Sequence, residues 1–126
     1  NDGKPKWVLS KVQEAVQHSP EATIAVLGLA FKANIDDLRE SPSLKIATEI
    51  AETLPQNRIF AVEPNVSELP HALAQHDNVK LVSVDTAVDE ADVVVLLVDH
   101  DEFVDLWSPS LSAKTVIDTK GLWPRQ

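Results

Sequence analysis

Five short apolar runs, each separated from the next by a stretch of helical periodicity, constrain this chain more than any other feature. They are residues 23–28 (TIAVLG), 58–63 (RIFAVE), 80–84 (KLVSV), 92–98 (DVVVLLV) and 115–118 (TVID). Runs of Val, Ile and Leu without polar alternation need cover on both faces, which helical crossovers supply. None approaches the ~20 apolar residues that a bilayer span requires. With 44% hydrophobic residues in 126, the chain can bury one sizeable core, so one domain is expected.

The segments between the runs supply those helices. After the first run, Ser41 can cap, Pro42 suits the first helical position, and Leu44, Ala47, Ile50, Ala51 and Leu54 share a face until residues 55–57 end it. A weaker helix is expected over 67–75 with Pro70 in its first turn, and short ones over 86–91 and 101–106. The fold class is therefore α/β: a Rossmann-like three-layer domain with a five-stranded, mainly parallel sheet in the order 3-2-1-4-5. Ligands bind such sheets at the carboxyl edge beside the first strand, where residues 28–41 fall. Ahead of the sheet, Trp7, Val8, Val12, Ala15 and Val16 mark an amphipathic helix over 5–16, followed by a linker at His18, Ser19 and Pro20. That helix either docks on the sheet's flank or is the tail of a helix shared with an upstream domain.

Charge narrows the partners. A net charge of -9 and a pI near 4.7 oppose nucleic acid and anionic membranes, while small anions remain open if cations cluster. The chain has no Cys, hence no disulfide, thiolate metal site or Cys nucleophile, which permits the cytosol without fixing the compartment. A soluble protein is expected, and the polar opening Asn1, Asp2, Gly3 without Met reads as a piece of something longer.

At the carboxyl edge, Gly28 stands without the G-x-G-x-x-G that brings a backbone against a pyrophosphate, so a complete dinucleotide site is not expected. Glu63 ends the second run where a ribose-binding acid could stand, but too far from Gly28 for the usual ~20-residue spacing. His18, His71, His76 and His100 are scattered, so no metal site is expected. His100 fits a loop histidine beside carboxylates better than a catalytic base, because no nucleophile accompanies it. Between Lys80 and Lys114 there are eight acids and no Lys or Arg. Against that face, Lys32 and Arg39 follow the first strand and Lys120 the fifth, the placement an oxyanion needs. The alternative is that Asp36, Asp37 or Glu40 absorbs Lys32 and Arg39 in surface ion pairs of little energetic weight.

The stretch GLAFKANIDDLRESP, residues 28–42, resembles the G-L-x-F-K-x-x-x-D-D-x-R-x-S-P pattern in the C-terminal domain of the NAD-dependent UDP-sugar 6-dehydrogenases. Residues 1–5 (NDGKP), 62–65 (VEPN), 97–100 (LVDH) and 118–121 (DTKG) resemble the branch acting on UDP-N-acetyl-D-mannosamine. The likeness covers essentially the whole chain. It implies a three-part cytoplasmic enzyme, homodimeric or larger, with an N-terminal NAD-binding domain, a central helical region and this C-terminal part closing over the UDP-sugar. Residues 1–19 would be the tail of the central helix and 20–126 the UDP-sugar-binding domain. The family's reaction oxidises the sugar C6 alcohol to a carboxylate with two NAD, through a Cys-linked thiohemiacetal, so this piece should be inactive alone. By the same resemblance Phe31, Lys32 and Lys120 contact the UDP-sugar, Arg39 reaches the NAD, and Asp36 and Asp37 orient the loop. No catalytic residue and no metal ligand falls here. A stand-alone receiver-like signalling module is the competing expectation, with Asp36 and Asp37 as its acidic pair and Lys120 as its fifth-strand Lys. The third run, however, ends VSV without a phosphoacceptor Asp.

Overall fold

The computed structural model describes residues 3–30, 32–34, 38–39 and 41–123, of which 3 and 4 by backbone only. The five apolar runs form β1 (Ile24–Leu27), β2 (Ile59–Val62), β3 (Val79–Leu81), β4 (Val93–Leu96) and β5 (Thr115–Asp118). All pair in parallel, in the order β3-β2-β1-β4-β5. This is the expected order, and it differs from the 2-1-3-4-5 order of receiver-type sheets, which removes the competing module.

Alternation along each central strand splits the core in two. Ile24 and Val26 of β1, Ile59 and Ala61 of β2, and Val93 and Val95 of β4 face one side. There they meet Ile46, Ala47, Ile50 and Ala51 of α2 (Pro42–Thr53) and Val8 and Val12 of α1 (Gly3–His18). Ala25, Leu27, Phe60, Val62, Val94 and Leu96 face the other side. Their cover comes from Ala87 of α4 (Val84–Glu90), Phe103 of α5 (Asp101–Val104), Leu111 of α6 (Pro109–Ser112) and Trp123. The N-terminal helix thus docks against α2 and the β5 flank, burying Val8 and Val12 completely. At ~25 cal/mol per Å2 of apolar surface, each such valine contributes about 1.5–3 kcal/mol gross.

Three elements depart from the sequence reading. The helix expected over 67–75 shrinks to α3 (His71–Ala74), with Pro70 extended at its N-cap (φ -58°, ψ 149°). A proline disfavours helical backbone in the residue before it, so Leu69 cannot join. The third strand ends at Leu81 because Ser83 turns the chain early: its side chain accepts from the Thr86 N–H and starts α4. Residues 108–112 form a helical turn the reading missed, capped by Ser108, whose hydroxyl accepts from the Leu111 N–H.

Candidate functional site

All five strands are parallel and so deliver the loops that follow them to one edge of the sheet. The loop after β1 begins at Gly28, with φ +99°; a Cβ there would lie 2.5 Å from Val98 Cβ and 2.9 Å from Val98 N. Gly28 is therefore required because the chain crosses Val98, the second residue after β4, at close quarters, and the space above it is filled by protein. The loop's far end is fixed by Ser41, whose hydroxyl donates to the Leu29 carbonyl (2.7 Å) and accepts from the Leu44 N–H (3.2 Å), capping α2. Ser43 adds a longer bond to the Leu97 carbonyl at 3.4 Å.

Between these ends lies a buried polar network that the sequence reading did not find. Glu63, 3% exposed, follows β2, and His100, fully buried, follows β4. Glu63 Oε1 accepts from the N–H groups of Leu29 (2.8 Å) and Ala30 (3.1 Å) and lies 2.9 Å from His100 Nε2. Oε2 accepts from Asn65 N (3.1 Å) and Nδ2 (3.0 Å). On its other side, the His100 ring accepts at Nδ1 from the Asn34 N–H at 2.8 Å. A nitrogen that accepts carries no proton, so the ring is the neutral Nε2–H tautomer donating to Glu63. Asn34, left-handed at φ 63°, completes the chain of bonds by accepting at Oδ1 from the Asp101 N–H. Burial pushes the Glu63 carboxyl up, but the bonds from His100, Leu29 and Asn65 outweigh it and hold the group below its ordinary value of 4.5. It is a charged carboxylate, buried and fully hydrogen-bonded.

This network decides the cofactor question for this edge. A ribose-reading acid must offer free oxygens, and both Glu63 oxygens are taken by the chain itself. With Val98 packed over Gly28, the described residues of this edge do not fit a dinucleotide cradle. His100 is likewise no exposed base; it is a buried link beside one carboxylate.

The sequence-predicted cations are exposed at this edge. Lys32 lies in the short span between Ala30 and Asn34, both of which the network anchors. Arg39 is exposed further along the loop and is already engaged within the chain. Lys120 is exposed after β5, where Asp118 fixes the turn by accepting from Lys120 N (2.9 Å) and Trp123 N (2.8 Å). β5 and β1 flank β4, so at ~4.8 Å per strand spacing the two loops leave the sheet about 10 Å apart. Phe31, Asp36, Asp37 and Glu40 lie outside the described residues, and the roles expected of them, including ion pairs with Lys32 or Arg39, lie there too. Asp99, Asp101 and Glu102 are exposed at the same edge, so their field opposes an anion there and the cations must offset it. A neighbouring cleft of about 410 Å3 beside β2 and β3 is lined by Val62, Pro64, Val66, Leu81 and Val84 among others, with no Lys or Arg. No group of three or more His, Cys, Asp or Glu among the described residues could hold a metal, and no described helix is long and apolar enough to cross a membrane.

The chain is similar in sequence and in fold to known proteins. Residues 25–125 match the family model described as the UDP-glucose/GDP-mannose dehydrogenase family, UDP binding domain. A UDP-N-acetyl-D-mannosamine dehydrogenase of Salmonella typhi is 45% identical over 98% of this chain, which spans 30% of that protein. An NDP-N-acetyl-D-galactosaminuronic acid dehydrogenase of Ralstonia nicotianae is also 45% identical over 98% of the chain, which spans 28% of it. The native structure of the UDP-N-acetyl-mannosamine dehydrogenase of Staphylococcus aureus superimposes with a TM-score of 0.74 at 26% identity, over 100% of this chain and 29% of that one. The chain thus spans under a third of the length of these relatives.

Proposed function

The chain belongs to the UDP-glucose/GDP-mannose dehydrogenase family and corresponds to its UDP-binding domain, and on that premise we propose that it forms the closing half of a UDP-sugar site in an NAD-dependent 6-dehydrogenase. Residues 1–19 carry the end of the central helix, and 20–126 are the UDP-sugar-binding unit. The observation that carries this reading is the β1–α2 loop, which presents Lys32 and Arg39 at the edge where such sheets bind ligands. A diphosphate is doubly charged, and cations approaching from two domains neutralise it better than one side alone.

Lys32 and Lys120, with Phe31, contact the UDP-sugar, and Arg39 reaches towards NAD held mainly by another domain. NAD, when bound there, supplies the oxidation of the sugar C6 alcohol. This chain's own residues bind and orient the nucleotide sugar and exclude water; none takes part in the oxidation, so the chain is inactive by itself. The substrate is UDP-N-acetyl-D-mannosamine or a related UDP-hexosamine, a choice supported by the mannosamine-dehydrogenase relative and matched in identity by the galactosaminuronate one. The full-length enzyme is a cytoplasmic homodimer or larger assembly.

Steady-state kinetics on the full-length enzyme test the division of labour. Lys32→Ala should raise the KM for UDP-sugar by about tenfold, the loss of one charge-assisted contact. Arg39→Ala should act mainly on the KM for NAD. Equal and negligible effects on both constants would refute the assignment. Comparing UDP-N-acetylmannosamine, UDP-N-acetylgalactosamine and UDP-glucose as substrates identifies the sugar.

A further inference from the structure

We infer that Glu63 and His100 are positioning residues for substrate binding, forming an internal clamp that holds Lys32 in its presenting geometry. The inference rests on the reading of Lys32 as a UDP-sugar contact. Oε1 of Glu63 takes the Leu29 and Ala30 amides on the near side of the tip. The same oxygen accepts from His100, whose Nδ1 takes the Asn34 amide on the far side. One carboxylate oxygen therefore ties down both ends of a three-residue span, from strands that are neighbours of β1 on either side. The Asn34 side chain extends the clamp to Asp101 N at the start of α5, so the tip is fixed against the loops that follow both β2 and β4.

Geometry also shows why histidine is needed. The link needs one acceptor facing Asn34 and one donor facing Glu63, which the neutral imidazole supplies from opposite sides of a rigid ring. A long cationic side chain on an exposed loop loses much conformational freedom when it binds, and a backbone already fixed at both ends reduces that loss. Glu63 and His100 are buried beneath the loop, so their effect should fall on binding and leave the turnover of bound substrate alone.

The test is a set of variants in the full-length enzyme, each with KM for UDP-sugar, kcat and melting temperature measured. His100→Leu removes donor and acceptor together and should raise KM about tenfold with kcat within about threefold of wild type. His100→Gln, whose amide keeps one acceptor and one donor, should recover most of that loss. Asn34→Gly keeps the left-handed backbone and removes only the Asp101 link; it should raise KM about threefold, and it carries the test if His100→Leu fails to fold. Val12→Ala, in the α1 core and outside the hydrogen bonds of the clamp, is the control: it should lower the melting temperature and leave KM unchanged. A KM within about twofold of wild type for both His100→Leu and Asn34→Gly, alongside a clear Lys32→Ala defect, overturns the positioning role alone. So does a Val12→Ala defect in KM as large as that of an equally destabilised His100→Leu. An unchanged KM in Lys32→Ala instead overturns the assignment of Lys32, and the clamp loses its purpose with it.

Discussion

Replacing Gly28 by alanine should be among the most damaging single-methyl changes in this protein, and its cost can be built from two parts. The backbone there sits at φ +99°, a region that costs an L side chain roughly 1–2 kcal/mol. The added Cβ would stand 2.5 Å from Val98 Cβ, 2.8 Å from Val98 Cγ2 and 2.9 Å from Val98 N, all closer than carbon and nitrogen tolerate. Relief requires moving the backbone where Val98 N bonds the Leu27 carbonyl, and overpacking of that kind costs about 1–3 kcal/mol. Together these give about 2–5 kcal/mol. With a urea m-value of about 1.5 kcal/mol/M, a central loss of 3 kcal/mol lowers the unfolding midpoint by about 2 M. Because alanine keeps the Cβ at 2.5 Å and the main-chain nitrogen at 2.9 Å, removing Cγ2 in Val98→Ala should not fully rescue the variant. Gly121 provides the comparison: its φ is +65° but nothing lies within 4 Å of its missing Cβ, so Gly121→Ala should lose only about 1 kcal/mol. A Gly28→Ala midpoint shift no larger than that of Gly121→Ala, or full rescue by Val98→Ala, would refute the close-approach argument.

Other outcomes follow from the same loops. The Glu63 carboxyl is held below its ordinary value of 4.5 in the fold, so its stabilising contribution is present above that value and is lost as pH falls through the depressed one. Unfolding free energy should therefore decline on acidification below 4.5, and in Glu63→Gln this component of the decline should vanish while stability at neutral pH drops; denaturation series at several pH values read both effects. Ser41→Ala removes the cap of α2 and leaves the Leu29 carbonyl without its hydroxyl donor, a loss of about 2–3 kcal/mol measurable by urea titration. Titrated with a UDP-sugar in a calorimeter, the 126-residue chain alone should show weak binding or none, because its cations meet the ligand from one side only; micromolar affinity would contradict the half-site reading.

The sheet was legible because every central strand is an unbroken apolar run and because right-handed crossovers leave few ways to arrange five of them. Helix α2 was legible from Ser41 and Pro42 at one end and its apolar stripe. Ser108 and Pro109 repeat that same start signal, but the four residues of α6 are too few to show a period. The loop cations could be placed on an edge, since that needs only the strand ends. The Glu63 to His100 bond could not, because it joins positions 37 residues apart whose proximity depends on strand order and register. A signal was present: each is a polar residue at or just beyond the end of a buried apolar strand, where burial would demand a partner. Weighing Glu63 only as a ribose ligand, and setting that role aside on spacing, leaves its actual partners, the chain's own amides, unread.

The placement of the tryptophans gives the molecule an optical asymmetry. Trp123 is buried, donates from Nε1 to the Phe103 carbonyl and lies 6.0 Å from the Trp107 ring, all on the α5–α6 side of the sheet. Trp7, on α1, is 48% exposed and rests beside the Lys11 ammonium. Emission from Trp123 should shift strongly to the red on unfolding, whereas Trp7 already sees water. Intrinsic fluorescence will thus report the melting of one layer of the fold and be nearly blind to the other. Loosening of α1 must be followed by a probe of its own, such as iodide quenching of Trp7 in a protein whose other two tryptophans are replaced by phenylalanine.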